Sequence, residues 1–167
     1  KVILENSIGF SDVADEKIID KRTGLGLDGY TPFHFHPYSA FDVAVKNTYN
    51  AQKMIYICIE RELARVNRFK ILPIHPLSGN EFKLYDYDEG FNLIDWETLM
   101  EVGRNDNYAK EVKMAECLTD LIVPPQCFKC IYVPSEEVRQ IVEEKLEKYD
   151  IDFPPPYVNV MKQWFNC

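Results

Sequence analysis

The clearest hydrophobic pattern in the chain lies at residues 135–149, where apolar side chains recur at the spacing of an α-helix. One stripe of this helix consists of Val138, Ile141, Val142 and Leu146. Ser135 is placed to cap the first turn, and the two glutamates that follow it are favourable there because a helix N-terminus carries positive dipole charge. We therefore predict an amphipathic helix whose opposite, acidic face is exposed to solvent.

Shorter stretches alternate between apolar and polar positions, which is the period of a half-buried β-strand. The sequence predicts strands at residues 30–38, 53–60, 69–74, 128–133 and 158–165. Short helices are predicted at 40–49, 62–67 and 95–102, the last with Asp95 as its N-cap. Residues 78–90 are polar and aromatic and are predicted to form an irregular loop. Strands that interleave with short helices, without regular βαβ spacing, predict an α+β fold.

Length and composition are those of an ordinary globular protein. With 167 residues, 46% of them hydrophobic, the chain is long enough to bury a sizeable core, and we predict a single domain over residues 1–167. No apolar run approaches the roughly 18 residues that a membrane span needs, and no signal peptide is visible. The chain begins at Lys1 rather than Met, which leaves room for an upstream segment.

The five cysteines indicate a reduced, cytoplasmic protein, because their number is odd and no secretory signal accompanies them. Cys127 and Cys130 form a CxxC motif. A zinc site would need a second such pair or nearby histidines, and the three histidines lie far upstream. We therefore interpret the motif as two thiols at a strand edge and predict no metal, with a redox or metal role as the alternative.

The net charge of -8 and the pI of about 4.9 argue against a broad phosphate-binding surface, since non-specific affinity for nucleic acid comes from Lys and Arg. A small local groove remains compatible with this charge. The sequence also lacks the phosphate-binding GxxxxGK[ST] motif, a GxGxxG after a strand, HExxH and GxSxG. Any use of a nucleotide therefore takes place without a Rossmann fingerprint.

One segment with chemical potential is the strand around residues 32–41. On a strand, His34 and His36 share one face while Phe33 and Phe35 share the other. Two histidines beside aromatic side chains are suited to hold a planar ring and a ribose. The alternative is that one or both histidines only make hydrogen bonds within the core.

The second segment places Glu116 among Met114, Ala115, Cys117 and Leu118. An ionised Glu is rarely buried without a partner, so one interpretation is a structural carboxylate paired with an arginine. The other is a catalytic carboxylate for glycosyl transfer. A fixed negative charge stabilises the positive charge that develops on ribose as the bond to nicotinamide breaks, and it accepts a proton from an incoming base.

Together these segments make the chain resemble the DarT family of DNA ADP-ribosyltransferase toxins. The matching elements occur in the family's order between Ile3 and Val133. They are Pro32–Ser39, Met54–Ile57, His75–Pro76, Asp95–Trp96, Met114–Leu118 and Cys130–Val133. The Ala-Glu-x-Leu element at Glu116 is the most specific of these motifs.

The resemblance implies the ADP-ribosyltransferase fold, with twisted, mostly antiparallel sheets and short helices. It implies transfer of ADP-ribose from NAD to a base in single-stranded DNA, by the toxin of a toxin–antitoxin pair whose antitoxin is of the macrodomain type. It places catalysis at Glu116 and His34. The residues that it implies for NAD binding are Phe33, Phe35, His36, Tyr38, Ser39 and Phe41.

The chain also departs from the family pattern. Many members carry an NAD-contacting Arg at the position of Tyr38, and the family's first strand, whose His binds NAD, would precede Lys1. The target base, thymine or guanine, therefore stays open. The alternatives are an ADP-ribosyltransferase that acts on protein or RNA, and a catalytically inactive binding module of the same fold.

Overall fold

The computed structural model describes residues 16–37, 39–75, 83–151 and 156–166, which form two β-sheets with helices packed around them. The strands are β1 (Thr31–His34), β2 (Tyr56–Ile59), β3 (Lys70–Leu72), β4 (Tyr85–Asp86), β5 (Glu116–Thr119), β6 (Phe128–Val133) and β7 (Tyr157–Val160). The α-helices are α1 (Glu16–Gly24), α2 (Ala40–Thr48), α3 (Arg61–Val66), α4 (Tyr87–Leu93), α5 (Trp96–Met100), α6 (Asn107–Val112) and α7 (Glu136–Lys148). Short 3₁₀ turns lie at Ala51–Lys53, Pro125–Cys127 and Lys162–Trp164.

The described residues form one four-stranded and one three-stranded sheet. One has the order β1-β5-β3-β4 with antiparallel neighbours, and the other has the order β2-β6-β7, in which β6 pairs with β2 antiparallel and with β7 parallel. Strands β1 and β2 thus each have one edge without a described partner strand. The predicted α+β class with mostly antiparallel sheets is confirmed.

The core consists of apolar side chains on both faces of the four-stranded sheet. On one face of the four-stranded sheet, Ile71 and Cys117 pack with Phe69, Leu99 and Val112. A smaller cluster of Leu27, Leu72 and Leu118 covers the other face. Because side chains alternate along a strand, β3 and β5 each supply residues to both clusters.

The C-terminal helix follows its predicted pattern closely. Ser135 caps it, because its Oγ accepts a hydrogen bond from the backbone N–H of Val138 at 3.4 Å. Its apolar residues pack against a third cluster, Ile131, Val133 and Val158, on the second sheet. Only Ile141 departs from the predicted stripe, since it is 52% exposed.

The prediction of an irregular loop at residues 78–90 was wrong for its second half. Residues 83–90 contain β4 and the start of α4. Polar and turn-forming residues there suggested a loop, but the short β4 pairs with β3, and α4 then turns Tyr87 into the core. Gly90 lets this helix approach the sheet, because a Cβ there would lie 2.5 Å from Ile71 Cβ and 2.8 Å from Tyr85 Cβ.

None of the helices in the described ranges has the length and apolar character required to cross a membrane.

We expect Gly90→Ala to destabilise the fold by about 1–3 kcal/mol, as overpacking of a core does. The clashing Cβ atoms are attached to backbone, so the added methyl group is accommodated only if α4 moves away from β3. Urea unfolding measures the change. Gly24→Ala is the matched control, because a Cβ at Gly24 meets nothing within 4 Å, and equal stability of the two variants would contradict this account of α4 packing.

Candidate active site

The pairing of β1 with β5 brings the two predicted catalytic residues together. His34 lies directly opposite Glu116 in the register, and Phe33 lies opposite Cys117. Directly opposed residues of an antiparallel pair project to the same face, with Cβ atoms about 4.5–5.5 Å apart. The imidazole and the carboxylate therefore share one face, while Phe33 and Cys117 face the other cluster.

Glu116 is a buried, ion-paired carboxylate. Only 3% of it is exposed, and Arg22 Nη1 donates to Oε1 at 3.0 Å and to Oε2 at 2.9 Å. Arg22 comes from the last turn of α1, so this helix supplies the counter-charge for the strand. The other terminal nitrogen, Nη2 of Arg22, is buried and has no hydrogen-bond partner among the described residues.

All three histidines lie close to this site, and burial lowers their pKa values. For His34 burial is the largest effect, and the charge of Glu116 opposes it. Burial likewise lowers the pKa of His75, whose backbone N–H donates to Glu111 O at 3.0 Å, and again Glu116 opposes the shift. Burial is also the main reason that the pKa of His36 is lowered. At neutral pH the three rings are therefore uncharged, and each is able both to donate and to accept a hydrogen bond.

A cavity of about 410 Å³ lies between β1, α2 and β2. Its walls include six of the predicted site residues, namely Phe33, His34, Phe35, His36, Ser39 and Phe41. Tyr38 lies outside the described residues. Glu116 is not among the lining residues of this cavity, but it lies opposite His34 on the paired strand β5. We name this space the histidine cavity.

Buried polar contacts hold the cavity's wall in place. Ser39 is fully buried and caps α2 by accepting from the Asp42 backbone N–H at 3.1 Å. Asp42 in turn pairs with Lys46 Nζ at 2.6 Å and accepts from the Tyr56 hydroxyl at 2.5 Å. Lys46 also donates to the carbonyl of Pro37 at 3.3 Å. These contacts connect the turn after β1 to the edge strand β2.

The aromatic residues of β1 divide their contacts between the cavity and the core. The rings of His34 and Phe41 are stacked with centroids 6.1 Å apart. Phe35 packs edge-on against Trp96, with centroids 5.2 Å apart, while it also lines the cavity. The contact with Trp96 fixes the orientation of Phe35, so the side of its ring that lines the cavity forms a rigid wall.

Arg22 is the residue that the sequence analysis did not name. The sequence indicated this residue only indirectly. A Glu in an apolar strand requires a cationic partner, but the residues next to Glu116 do not identify which arginine packs against it. Arg22 is 94 residues away along the chain. The ion pair with Arg22 is what the interpretation of Glu116 as a paired carboxylate predicts. The catalytic role of Glu116 stays a prediction.

Two of the cysteines, Cys58 and Cys130, lie on the second sheet. Cys58 is directly opposite Cys130 in the β2–β6 register, whereas Cys127 ends the preceding 3₁₀ turn. Burial and then the neighbouring Cys130 raise the pKa of Cys58 to about 12, so this thiol is neutral at pH 7. Within the described ranges, no group of three or more His, Cys, Asp or Glu residues is arranged to hold a metal ion.

Comparison with known proteins gives one family and a small set of similar structures. A sequence model described as "DarT: ssDNA thymidine ADP-ribosyltransferase, DarT" matches residues 2–166. Thermus sp. 2.9 DarT in complex with NAD+ is similar with a TM-score of 0.73 and 21% identity, over 84% of this chain and 74% of that one. No curated protein sequence matches the chain.

Two further structures cover 98% of this chain. Thermus sp. 2.9 DarT in complex with ADP-ribosylated ssDNA has a TM-score of 0.82 and 19% identity, over 85% of its own length. Thermosipho africanus DarTG in complex with ADP-ribose has a TM-score of 0.74 and 21% identity, over 44% of its length. The ADP-ribosyltransferase fold that the resemblance implied is therefore confirmed.

The lowered pKa of His34 predicts a loss of stability in mild acid. Below pH 6.5, the ordinary pKa of histidine, His34 becomes protonated in the unfolded chain. In the folded protein its lowered pKa keeps the ring neutral to a lower pH. The stability is fully present above pH 6.5 and falls as the pH drops through the lower folded value. We expect urea unfolding to show less stability at pH 5 than at pH 7.5, and His34→Gln to flatten this decline. A variant with the same pH dependence as the wild type would contradict the assignment of the effect to His34.

Proposed function

Because the chain belongs to the DarT family of ssDNA thymidine ADP-ribosyltransferases, we propose that it transfers ADP-ribose from NAD to a thymine base with Glu116 as the catalytic carboxylate. The observation that carries this assignment is the buried Glu116, which is held by Arg22 and lies opposite His34, a lining residue of the histidine cavity. The family match makes the chain an NAD-dependent ADP-ribosyltransferase, and the roles of individual residues are our proposal.

NAD supplies the ADP-ribosyl group and nicotinamide as the leaving group. As the bond between the ribose C1 and nicotinamide breaks, positive charge develops on the ribose, and the fixed negative charge of Glu116 stabilises it. A new bond then forms between C1 and a ring nitrogen of the base, whose proton moves to the Glu116 carboxylate. The low exposure of Glu116 strengthens the effect, because a buried charge acts with little solvent screening.

Arg22 has two roles in this proposal. Its Nη1 contacts both carboxylate oxygens and thereby fixes the orientation of Glu116. Its Nη2 is buried without a partner in the described part of the chain, and a buried donor of this kind is costly unless a ligand accepts from it. A ribose or phosphate oxygen of NAD is the acceptor that we assign. Arg22 would then supply the cation that the family pattern places where this chain has Tyr38.

The histidine cavity is the proposed binding site for the nicotinamide half of NAD. Uncharged His34 has a buried Nδ1 with no hydrogen-bond partner in the described ranges, and this atom is available for a ribose hydroxyl or the nicotinamide amide. Phe33, Phe35 and Phe41 form apolar walls for the ring, and His36 and Ser39 add polar groups. Aromatic walls with few, well-placed polar groups are the usual composition of a small-molecule site.

We assign a macrodomain-type antitoxin as the cellular partner and the cytoplasm as the compartment. The chain corresponds to 44% of the length of Thermosipho africanus DarTG, so that protein contains a further region beyond the matched one. A toxin that modifies the DNA of its own cell requires a partner that removes the mark or blocks the enzyme. Co-expression with an ADP-ribose-removing macrodomain should relieve growth arrest, whereas a macrodomain without hydrolase activity should not.

The acceptor is tested by mass spectrometry of oligonucleotides incubated with the protein and NAD. Strands with a single type of base, in DNA and in RNA form, are offered separately. A mass gain of one ADP-ribosyl group on thymine-containing DNA alone is the expected result. Modification of RNA or of the protein itself would support the alternative acceptors, and absence of any NAD turnover would support the inactive module.

We expect Glu116→Gln to lower kcat for transfer by about 10²–10³, the usual effect of removing one group that stabilises developing charge. Glutamine has nearly the same shape and its carbonyl oxygen still accepts from Arg22, so we expect the variant to fold, with reduced stability because the counter-charge of Arg22 is lost. Transfer of labelled ADP-ribose measures kcat, and circular dichroism checks the fold. Exposed Glu97→Gln is the control. A folded Glu116→Gln enzyme with wild-type turnover would refute the catalytic assignment.

Arg22→Lys tests the second role of the arginine. Lysine keeps the positive charge beside Glu116 but loses the planar pair of nitrogens, and we expect KM for NAD to rise about tenfold. Steady-state kinetics at saturating oligonucleotide separate KM from kcat, and urea unfolding reports stability. Arg139→Lys on α7, whose side chain is 43% exposed, is the control. A loss of stability with unchanged KM and kcat would mean that Arg22 is purely structural.

A further inference from the structure

A second cavity adjoins the histidine cavity at β1 and β2. It measures about 180 Å³ and shares Phe33, His34, Phe35, Ile57 and Cys58 with the histidine cavity. The rest of its wall is formed by Ile59, Glu60, Arg61, Ala64, Tyr87 and Cys117. Two adjoining cavities with a common wall are suited to a transfer reaction, which must hold two substrates side by side.

Arg61, which lines the second cavity, lies over a cluster of three aromatic rings, one of which, Phe35, lines the cavity as well. Its Cζ lies 5.0 Å from the ring centroid of Trp96, 5.4 Å from that of Phe91 and 5.9 Å from that of Phe35. All three distances are within the range of a cation–π contact. The three rings pack against one another, so they hold the guanidinium in place while its N–H groups stay at the rim.

The charge of Arg61 is not neutralised by a carboxylate among the described residues. Its neighbours differ in this respect, because each pairs with an acid: Arg65 with Asp88, Lys70 with Asp86, and Lys83 with Glu89. Glu60, which precedes Arg61, pairs with Lys129. In a protein with a net charge of -8, an unpaired cation fixed at a cavity next to the candidate active site marks a place for an anion.

We infer that the second cavity binds one nucleotide of the acceptor strand, its base against Phe33, Phe35 and Tyr87 and its phosphate on Arg61. The inference rests on the proposed function. Because Phe33 and Cys117 face away from Glu116, this nucleotide is not the one that is modified but one that flanks it. A base held on aromatic walls and a phosphate on an arginine are the usual elements of single-strand binding.

The phosphate of a DNA strand fits this position better than the pyrophosphate of NAD. The larger histidine cavity already has His34, His36 and Ser39 in its walls, and His34 lies opposite Glu116 in the strand register. The second cavity offers mainly apolar and aromatic walls with two charged residues, Glu60 and Arg61. Glu60 is paired with Lys129, so Arg61 is the charge left for an anion, and Arg61 is exposed to solvent, where a long strand has access. A flanking nucleotide bound here would restrict the sequence context of modification.

The test measures binding and transfer with Arg61→Gln. We expect about tenfold weaker binding of a fluorescent thymine-containing oligonucleotide, a similar rise in KM for DNA, and a salt slope reduced by about 0.7 for one lost phosphate contact. Arg65→Gln, one turn along the same helix, is the matched control and should change none of these three quantities. A rise in KM for NAD rather than DNA would overturn the inference in favour of a pyrophosphate site.

A second measurement locates the phosphate. Oligonucleotides that carry one uncharged methylphosphonate linkage, moved stepwise along the strand, are bound to the wild type and to Arg61→Gln. One linkage near the modified base should weaken wild-type binding and leave the variant unaffected. Equal losses in both proteins at every linkage would refute a contact with Arg61. If the wild type transfers ADP-ribose to no DNA, the proposed function is wrong. If the wild type transfers normally and Arg61→Gln has the same DNA binding and the same KM for DNA, only the inference about Arg61 is wrong.

Discussion

The buried ion pair between Arg22 and Glu116 is the interaction on which the site depends. A carboxylate that is almost wholly buried is tolerated in an apolar strand only with a counter-charge, and removal of one partner of a buried pair typically costs about 3–5 kcal/mol. The pair therefore holds α1 against the four-stranded sheet and fixes the orientation of the Glu116 carboxylate. Arg22 approaches through one nitrogen, so the other remains for a ligand.

The division into two sheets explains where the ligand space lies. Strands β1 and β2 are edge strands within the described part of the fold, and the histidine cavity and the second cavity both lie between them. This gap would close if β1 and β2 moved together. The contacts among Asp42, Lys46 and Tyr56 connect α2 to β2 at a fixed distance and so oppose the closure. A buried polar network is thus used to keep an apolar cleft open and of constant shape.

The acidity of the protein sets a further constraint on how it meets a polyanion. Most cations near the site are paired with acids, so a broad attraction for phosphate is absent, and recognition must come from few local contacts. Aromatic surfaces suit this situation because stacking does not depend on net charge. An enzyme of this kind would bind DNA weakly and select for single strands, whose bases are free to enter a cavity.

By itself the sequence determined the local elements, because caps and periodicity act over a few residues. Ser135 and the apolar stripe specify α7, Asp95 caps α5, and alternation specifies β6. It also singled out Glu116, since a carboxylate among apolar neighbours is unusual. Only the tertiary structure decided that Arg22 is its partner, that His34 faces it and that Arg61 lies over three aromatic rings. Strand register and contacts across 94 residues depend on the packing of the whole chain, which no local pattern encodes.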